Sequence, residues 1–357
     1  MRARRAAALA AALLGVALLV SDCAKRGLPP GGPEDTTPPV VSSLGPASGS
    51  VNVDPAADIR IAFSEPMIHR TVETSVFVSP PPGMWRKRYW QGDTYILVPG
   101  QRLLDETTYL VSVGTSSTDR HGLKLAKTFV AGFSTGPTIE AGVISGKILW
   151  KSGTVTVEQA LVEVFDVADV GESTFVFPTA APVYVTYTGS GGAYEIPYVA
   201  VNRIYKMFGL VDKNANGQYD KGETIGCAEG DVSLADSTRA AGVDIVLCGE
   251  VLGGEVDGLV ELKPPADTTI DVASIKIAVE ARPVADTTGP YNVPCDKKGN
   301  FSITCMREGR YAIQAYWDKN GNGRKDLEDS LYVRFPDTLA VEPCARPQRA
   351  EMSLEVD

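Results

Sequence analysis

Tyr311-Ala-Ile-Gln-Ala-Tyr-Trp317 runs without a break into Asp318-Lys-Asn-Gly-Asn-Gly-Arg-Lys-Asp-Leu-Glu-Asp329. The first seven residues put Tyr311, Ile313, Ala315 and Trp317 on one side, a period of two that belongs to a strand and not to a helix. Tyr205-Lys-Met-Phe-Gly-Leu-Val211 alternates more loosely and enters Asp212-Lys-Asn-Ala-Asn-Gly-Gln-Tyr-Asp-Lys-Gly-Glu223. The same strand-plus-loop unit therefore occurs twice, and the reading that follows is an all-β chain built on a repeat.

Each loop carries oxygen side chains at positions 1, 3, 5, 9 and 12 and glycine at position 6, the spacing of a calcium loop. In the first copy the expected ligands are Asp212, Asn214, Asn216, the carbonyl of Gln218, Asp220 and Glu223. In the second they are Asp318, Asn320, Asn322, the carbonyl of Arg324, Asp326 and Asp329. An EF-hand needs flanking helices, so these are expected to be structural calcium loops on a β-scaffold. Asp329 is one methylene shorter than Glu223, which predicts the weaker site. The competing reading is a metal-free loop whose Asn and Asp side chains bond their own backbone.

The repeat extends beyond the loops. Ile144-Ser-Gly-Lys-Ile148 parallels Val256-Asp-Gly-Leu-Val260, Gly192-Ala-Tyr194 parallels Gly299-Asn-Phe301, and Ala160-Leu-Val-Glu-Val164 is aligned with Ala273-Ser-Ile-Lys-Ile277. The modules are set at 143–250 and 251–357. Each resembles a transthyretin- or carboxypeptidase-regulatory-like β-sandwich. Upstream, Asp58-Ile-Arg-Ile-Ala-Phe63, Thr94-Tyr-Ile-Leu-Val98, Tyr109 to Val113 and Phe129 to Phe133 read as short strands between turn signals. That density of strands predicts a further sandwich over 37–136. Thr37-Pro-Pro-Val40, Pro46-Ala-Ser-Gly49, Ile59-Arg-Ile-Ala-Phe-Ser-Glu-Pro-Met67, Thr108-Tyr-Leu-Val-Ser-Val113 and Phe133-Ser-Thr-Gly136 resemble the bacterial Ig-like domain first named in S-layer proteins. Leu123 stands where that family usually has Asn after an Asp-x-x-Gly turn. The fold expected is three tandem Ig-like or transthyretin-like β-sandwiches, and the short joints near 137–143 and 250–256 predict a semi-rigid array.

The N-terminus reads as a targeting signal. Arg2, Arg4 and Arg5 precede the apolar run Ala6 to Val20, a secretory pattern too short to span a bilayer comfortably. Residues 1–22 are thus a signal peptide. Cys23 and the Pro/Gly-rich segment to residue 36 resemble the lipidated cysteine and tether of a bacterial lipoprotein, similar to many Bacteroidetes-like lipoproteins that carry this Ig-like domain. Asp22 occupies a place where that family prefers a small residue. The alternative is ordinary cleavage nearby, with Cys23 left as a thiol. What the lipoprotein resemblance implies is an exported chain in the cell envelope, most simply at the outer membrane, anchored by lipid.

Composition bounds the function. The 357 residues carry 44% hydrophobic and 22% charged side chains with a net charge of −10, about −12 after signal removal. Such a surface repels nucleic acid and attracts divalent cations. Export permits disulfides, and five cysteines follow Cys23. Cys227 with Cys248 is the expected pair, Cys305 with Cys344 a second candidate, and the odd number leaves at least one of the five free or bonded to another chain. The basic aromatic run Trp85-Arg-Lys-Arg-Tyr-Trp90 is read as a strand edge with solvated cations; an exposed aromatic row would instead suit glycan stacking. Two histidines, no nucleophile elbow and no marked carboxylate pair give no outline of a catalytic site. The expectation is a non-catalytic envelope spacer and interaction scaffold that partners an envelope protein or glycan. The alternative is a carbohydrate- or protein-binding adhesin, and the third reading is an exported hydrolase.

Overall fold

The computed structural model describes residues 34–151, 155–170, 180–263, 275–285, 289–327, 329 and 331–355. The expected signal peptide and Cys23 lie outside the described residues. Residues 38–357 form one compact unit of strands with four buried apolar clusters among the described residues, the smallest of which, Leu161, Val185, Tyr187, Leu210 and Ile225, packs against Phe77 of the Ig-like segment.

The Ig-like segment contains β1 (Val41–Gly45), β2 (Ile59–Phe63), the short α1 (His69–Glu73), β3 (Val76–Ser79), β4 (Trp85–Gln91), β5 (Thr94–Pro99), β6 (Thr108–Val113) and β7 (Phe129–Ser134). Its sheets are β1-β2-β5-β4 and β3-β6-β7. Alternation in β2 puts Ile59, Ile61 and Phe63 inward, where they pack with Tyr95, Tyr109, Val111 and Phe133. β4 is an edge strand. Arg86, Lys87 and Arg88 point to solvent, which discourages pairing with another sheet. Trp85, Tyr89 and Trp90 are half-buried, and Trp90 stacks on His69 and Tyr95. The exposed aromatic row that a glycan platform needs is not formed there.

The first repeat contains β8 (Gly142–Trp150), β9 (Leu161–Asp166), the one-turn α2 (Val167–Val170), β10 (Tyr184–Tyr187), β11 (Ala193–Val199), β12 (Ile204–Val211), β13 (Thr224–Ala228), β14 (Val232–Ser233), β15 (Arg239–Ala241) and β16 (Ile245–Gly249). The second contains β17 (Gly254–Lys263), β18 (Ile277–Pro283), β19 (Tyr291–Pro294), β20 (Asn300–Met306), β21 (Gly309–Trp317), β22 (Tyr332–Val341) and β23 (Gln348–Glu355). Topology makes them copies. The run β10-β9-β12-β13 matches β19-β18-β21-β22, and β8 with β11 and the parallel β15 and β16 matches β17 with β20 and the parallel β23.

Register fixes the correspondence residue by residue and corrects one alignment. Gly146 faces Tyr194 and Gly258 faces Phe301, as the sequence pattern implies. Glu163 faces Phe208, three residues after Tyr205, and Glu280 faces Gln314, three after Tyr311. The counterpart of Ala160-Leu-Val-Glu-Val164 is thus Ile277-Ala-Val-Glu-Ala281, not Ala273 to Ile277, because the second copy has a longer connection after its first strand. Ala273 and Ser274 lie outside the described residues.

Gly146 and Gly258 are equivalent for a steric reason. A Cβ at either would lie 1.9 Å from a carbonyl oxygen, that of Val243 in the turn between β15 and β16 or that of Ala350 in β23. Gly258→Ala is expected to cost about 1–3 kcal/mol, the usual range for overpacking. Gly289→Ala, which meets nothing within 4 Å, serves as the control and should stay within about 0.5 kcal/mol. Urea midpoints of the two variants measure the difference.

The modules are joined by more than their linkers. β10 lies against the Ig-like segment: Val185 N–H donates to Ser79 Oγ, Ser112 and Thr186 share a hydroxyl hydrogen bond, and Tyr187 Oη donates to the Thr74 carbonyl. The repeats are linked by two disulfides, Cys227–Cys344 and Cys248–Cys305, with Cys295 unpaired. This overturns the pairing of Cys227 with Cys248 and the alternative of Cys305 with Cys344. Cys227 faces Val246 across the β13–β16 ladder, so Cys248 sits two residues further along and each thiol meets the second repeat instead. Among the described residues no helix is long and apolar enough to cross a membrane.

Candidate functional site

Both loops are hairpin connections. The first is closed by the Val211–Thr224 pair between β12 and β13, the second by Trp317 N–H on the Leu331 carbonyl between β21 and β22. Strands on both sides agree with the alternation in the sequence.

The two loops make the same hydrogen bonds almost atom for atom. At position 1, Asp212 Oδ2 accepts from Gly217 N–H at 2.7 Å and Asp318 Oδ2 from Gly323 N–H at 2.8 Å. At positions 3 and 5, Asn214 and Asn216 accept from the backbone two residues on, as do Asn320 and Asn322. Their amide nitrogens donate to the position 9 carboxylate, Asp220 or Asp326. At position 12, Glu223 accepts from Lys213 and Asp220 N–H, and Asp329 from Lys319 and Asp326 N–H. The shorter Asp329 therefore reaches the same two donors as Glu223. Position 6 has φ of +75° at Gly217 and +71° at Gly323, the left-handed region that favours glycine. Gln218 and Arg324, whose carbonyls stand at position 7, follow directly.

This ring of Asx-type bonds organises the oxygens before any ion arrives, and carboxylate oxygens that accept one N–H keep further lone pairs. The electrostatics ask for positive charge. Glu223, Asp318 and Asp329 are almost wholly buried. Beneath the first loop sits Glu163, 2% exposed, whose carboxyl is pushed up to about 8 by burial and then by Asp212 and Glu223. In the second repeat burial raises the Tyr316 phenol, with Asp318, Glu280, Asp329 and Asp326 adding to it. A hard divalent cation fits both the donor set and the sign of the field.

Glu163 and Glu280 occupy one position and differ in their surroundings. Glu280 is held by Arg282 and by Gln314 Nε2. At the place of Arg282 the first repeat has Phe165, so Glu163 lacks that counter-charge. The first loop also touches the Ig-like segment, since a Cβ on Gly217 would meet the Phe77 ring at 2.8 Å. Neither carboxylate stands out in the sequence. Only the strand register shows that both lie under a loop.

Residues 35–135 match the family model described as a bacterial Ig-like domain. No curated protein matches the chain. Among solved structures, the N-terminal part of the bacterial S-layer protein SbsC is similar at 13% identity and a TM-score of 0.22, over 50% of this chain and 42% of that one. The chain thus spans less than half of that S-layer structure. A streptococcal ancillary pilin aligns at 12% identity and TM-score 0.20 over 74% of this chain and 80% of its own. Escherichia coli alpha-2-macroglobulin domains MG0-NIE-MG1 align at 14% and 0.22 over 87% and 98%. Likenesses this slight carry no argument about function. What the family match identifies is the first of the three segments, a bacterial Ig-like domain.

Proposed function

We propose that this chain is a non-catalytic envelope lipoprotein, a spacer and interaction scaffold whose repeats are stiffened by calcium. The observation that carries the reading is the pair of equivalent acidic hairpin loops on modules clamped together by two disulfides. Disulfides suit an oxidising, exported location, and extracellular calcium modules need an affinity of only about 10⁻⁴–10⁻³ M. A rigid array of sandwiches behind a tether holds whatever it binds at a distance from the membrane.

Two measurements test this. If Cys23 is the anchor, the mature N-terminus carries a diacylglyceryl mass and Cys23→Ser releases the protein from the membrane fraction; a soluble wild type with another N-terminus sinks the anchor. Calcium should raise the unfolding temperature of the chelator-stripped protein, by about 2.7 kcal/mol of stabilisation at a hundredfold excess over Kd. Asp212→Ala should remove the larger part of the rise and Asp318→Ala the remainder, while Asp329→Glu strengthens the second loop. Absence of any calcium heat or thermal shift leaves both loops as metal-free Asx turns.

A further inference from the structure

The Ig-like segment holds a second cluster of ligand-type groups, far from the loops in sequence and outside the function proposed above. Two turns meet there. Phe63-Ser-Glu-Pro-Met67 and Asp119-Arg-His-Gly122 are joined by a bridge between Met67 and Asp119, and Ile68 N–H donates to the Thr118 carbonyl. Asp119 is fully buried. Its Oδ1 accepts from the N–H groups of His121 and Leu123, each at 2.8 Å, which accounts for the turn. Oδ2 is buried too and has no hydrogen-bond partner.

A buried carboxylate oxygen left unsatisfied is costly, roughly 1–3 kcal/mol and more when charged. Turn formation does not explain it, because Oδ1 alone makes the turn. A ligand atom from each of Glu65, Asp119 and His121 lies within 4.8 Å of the others. Two carboxylates that close repel each other, and among the described residues no lysine or arginine pairs with Asp119. Charge, donor geometry and the orphaned oxygen are all satisfied by one species.

We infer that Glu65, Asp119 and His121 bind a divalent transition-type cation such as Zn²⁺, which pins the two turns together. Two carboxylate oxygens and one imidazole nitrogen suit zinc, with water in the fourth position. Calcium prefers an all-oxygen shell. Bonds of about 2.0–2.2 Å bring tetrahedral ligand atoms closer than 4.8 Å, so binding needs a modest contraction by half-buried Glu65 and exposed His121. Asp119 needs none, since the two N–H bonds on Oδ1 already orient it.

The test titrates the full chain, stripped with chelator, with Zn²⁺ alone, reading calorimetric heat and unfolding temperature. One zinc per chain should bind with a rise in unfolding temperature. Glu65→Gln and His121→Ala should each weaken it at least tenfold, and the loop variant Asp212→Ala with Asp318→Ala should leave it unchanged. Asp119→Asn keeps the turn acceptor and removes the uncompensated charge. It should match or exceed the metal-free wild type in stability and lose the zinc shift, a combination that a purely structural role for Asp119 would not produce. The inference is overturned if wild type shows no stoichiometric zinc binding, if the Glu65→Gln, His121→Ala double variant binds normally, or if zinc is lost with the loops. Calcium binding at these three residues as tight as zinc would equally overturn it.

Discussion

Replacing Cys227 and Cys344 by serine is expected to remove about 4–5 kcal/mol of unfolding free energy, the loop-entropy value for a closure spanning 117 residues. Cys248→Ser with Cys305→Ser opens a shorter closure, spanning 57 residues, and should cost slightly less, about 4 kcal/mol on the same scale. Strain and residual denatured structure usually reduce such values, so these are upper figures. The two bridges tie the same pair of modules: one joins β13 to the segment after β22, the other β16 to β20. In each two-serine variant the remaining bridge shortens the effective loop that the lost one closed, so each loses less than its isolated value and the four-serine variant should lose more than the sum of the two. Urea unfolding of the three variants measures this. A non-reducing peptide map containing a Cys227–Cys248 link would refute the pairing itself.

Glu163→Gln should raise stability at pH 8 in metal-free buffer and flatten its pH dependence. The folded carboxyl sits near 8 against an ordinary 4.5, first because of burial and then because of Asp212 and Glu223. Between those values the folded chain holds a proton that the unfolded chain has released. The contribution is complete below pH 4.5, declines as pH rises and is lost on passing about 8. The slope inside the window is on the order of 1.4 kcal/mol per pH unit, for a total of a few kcal/mol. Calcium in the first loop should shrink the slope by offsetting Asp212 and Glu223. Denaturation midpoints from pH 5 to 9 in chelator decide the matter: coincident profiles for wild type and Glu163→Gln would mean that Glu163 is already ionised at neutral pH.

What could be read from the sequence was local, and what could not was lateral. The loops were legible because their oxygens are spaced within a dozen residues, and the flanking alternation of Tyr311 to Trp317 already excluded helices. Landmarks such as Gly146 and Gly258, or Tyr205 and Tyr311, held their register. The Ala160 to Val164 alignment slipped because a longer connection shifts the second copy, and matching by spacing cannot see which residues face each other. That slip hid Glu280 as the partner position of Glu163. The disulfides were missed for a related reason, since proximity along the chain favoured Cys227 with Cys248 whereas the bonds cross between modules. Glu65 and Asp119 each read as parts of separate turns, and only their convergence exposes the unpartnered Asp119 Oδ2.

The parallel pairing of β17 with β23 bears on what happens under load. Eight successive partners, from Val256–Gln348 to Lys263–Glu355, lie side by side and point the same way. Pulling the first and last strands of this module in opposite directions slides one along the other, so the hydrogen bonds of the ladder bear the tension together. An antiparallel arrangement with both ends on one side would instead peel open one bond at a time. The second module is thus built to resist stretching along its strands and to yield abruptly, the mechanical behaviour of a tie rather than a spring.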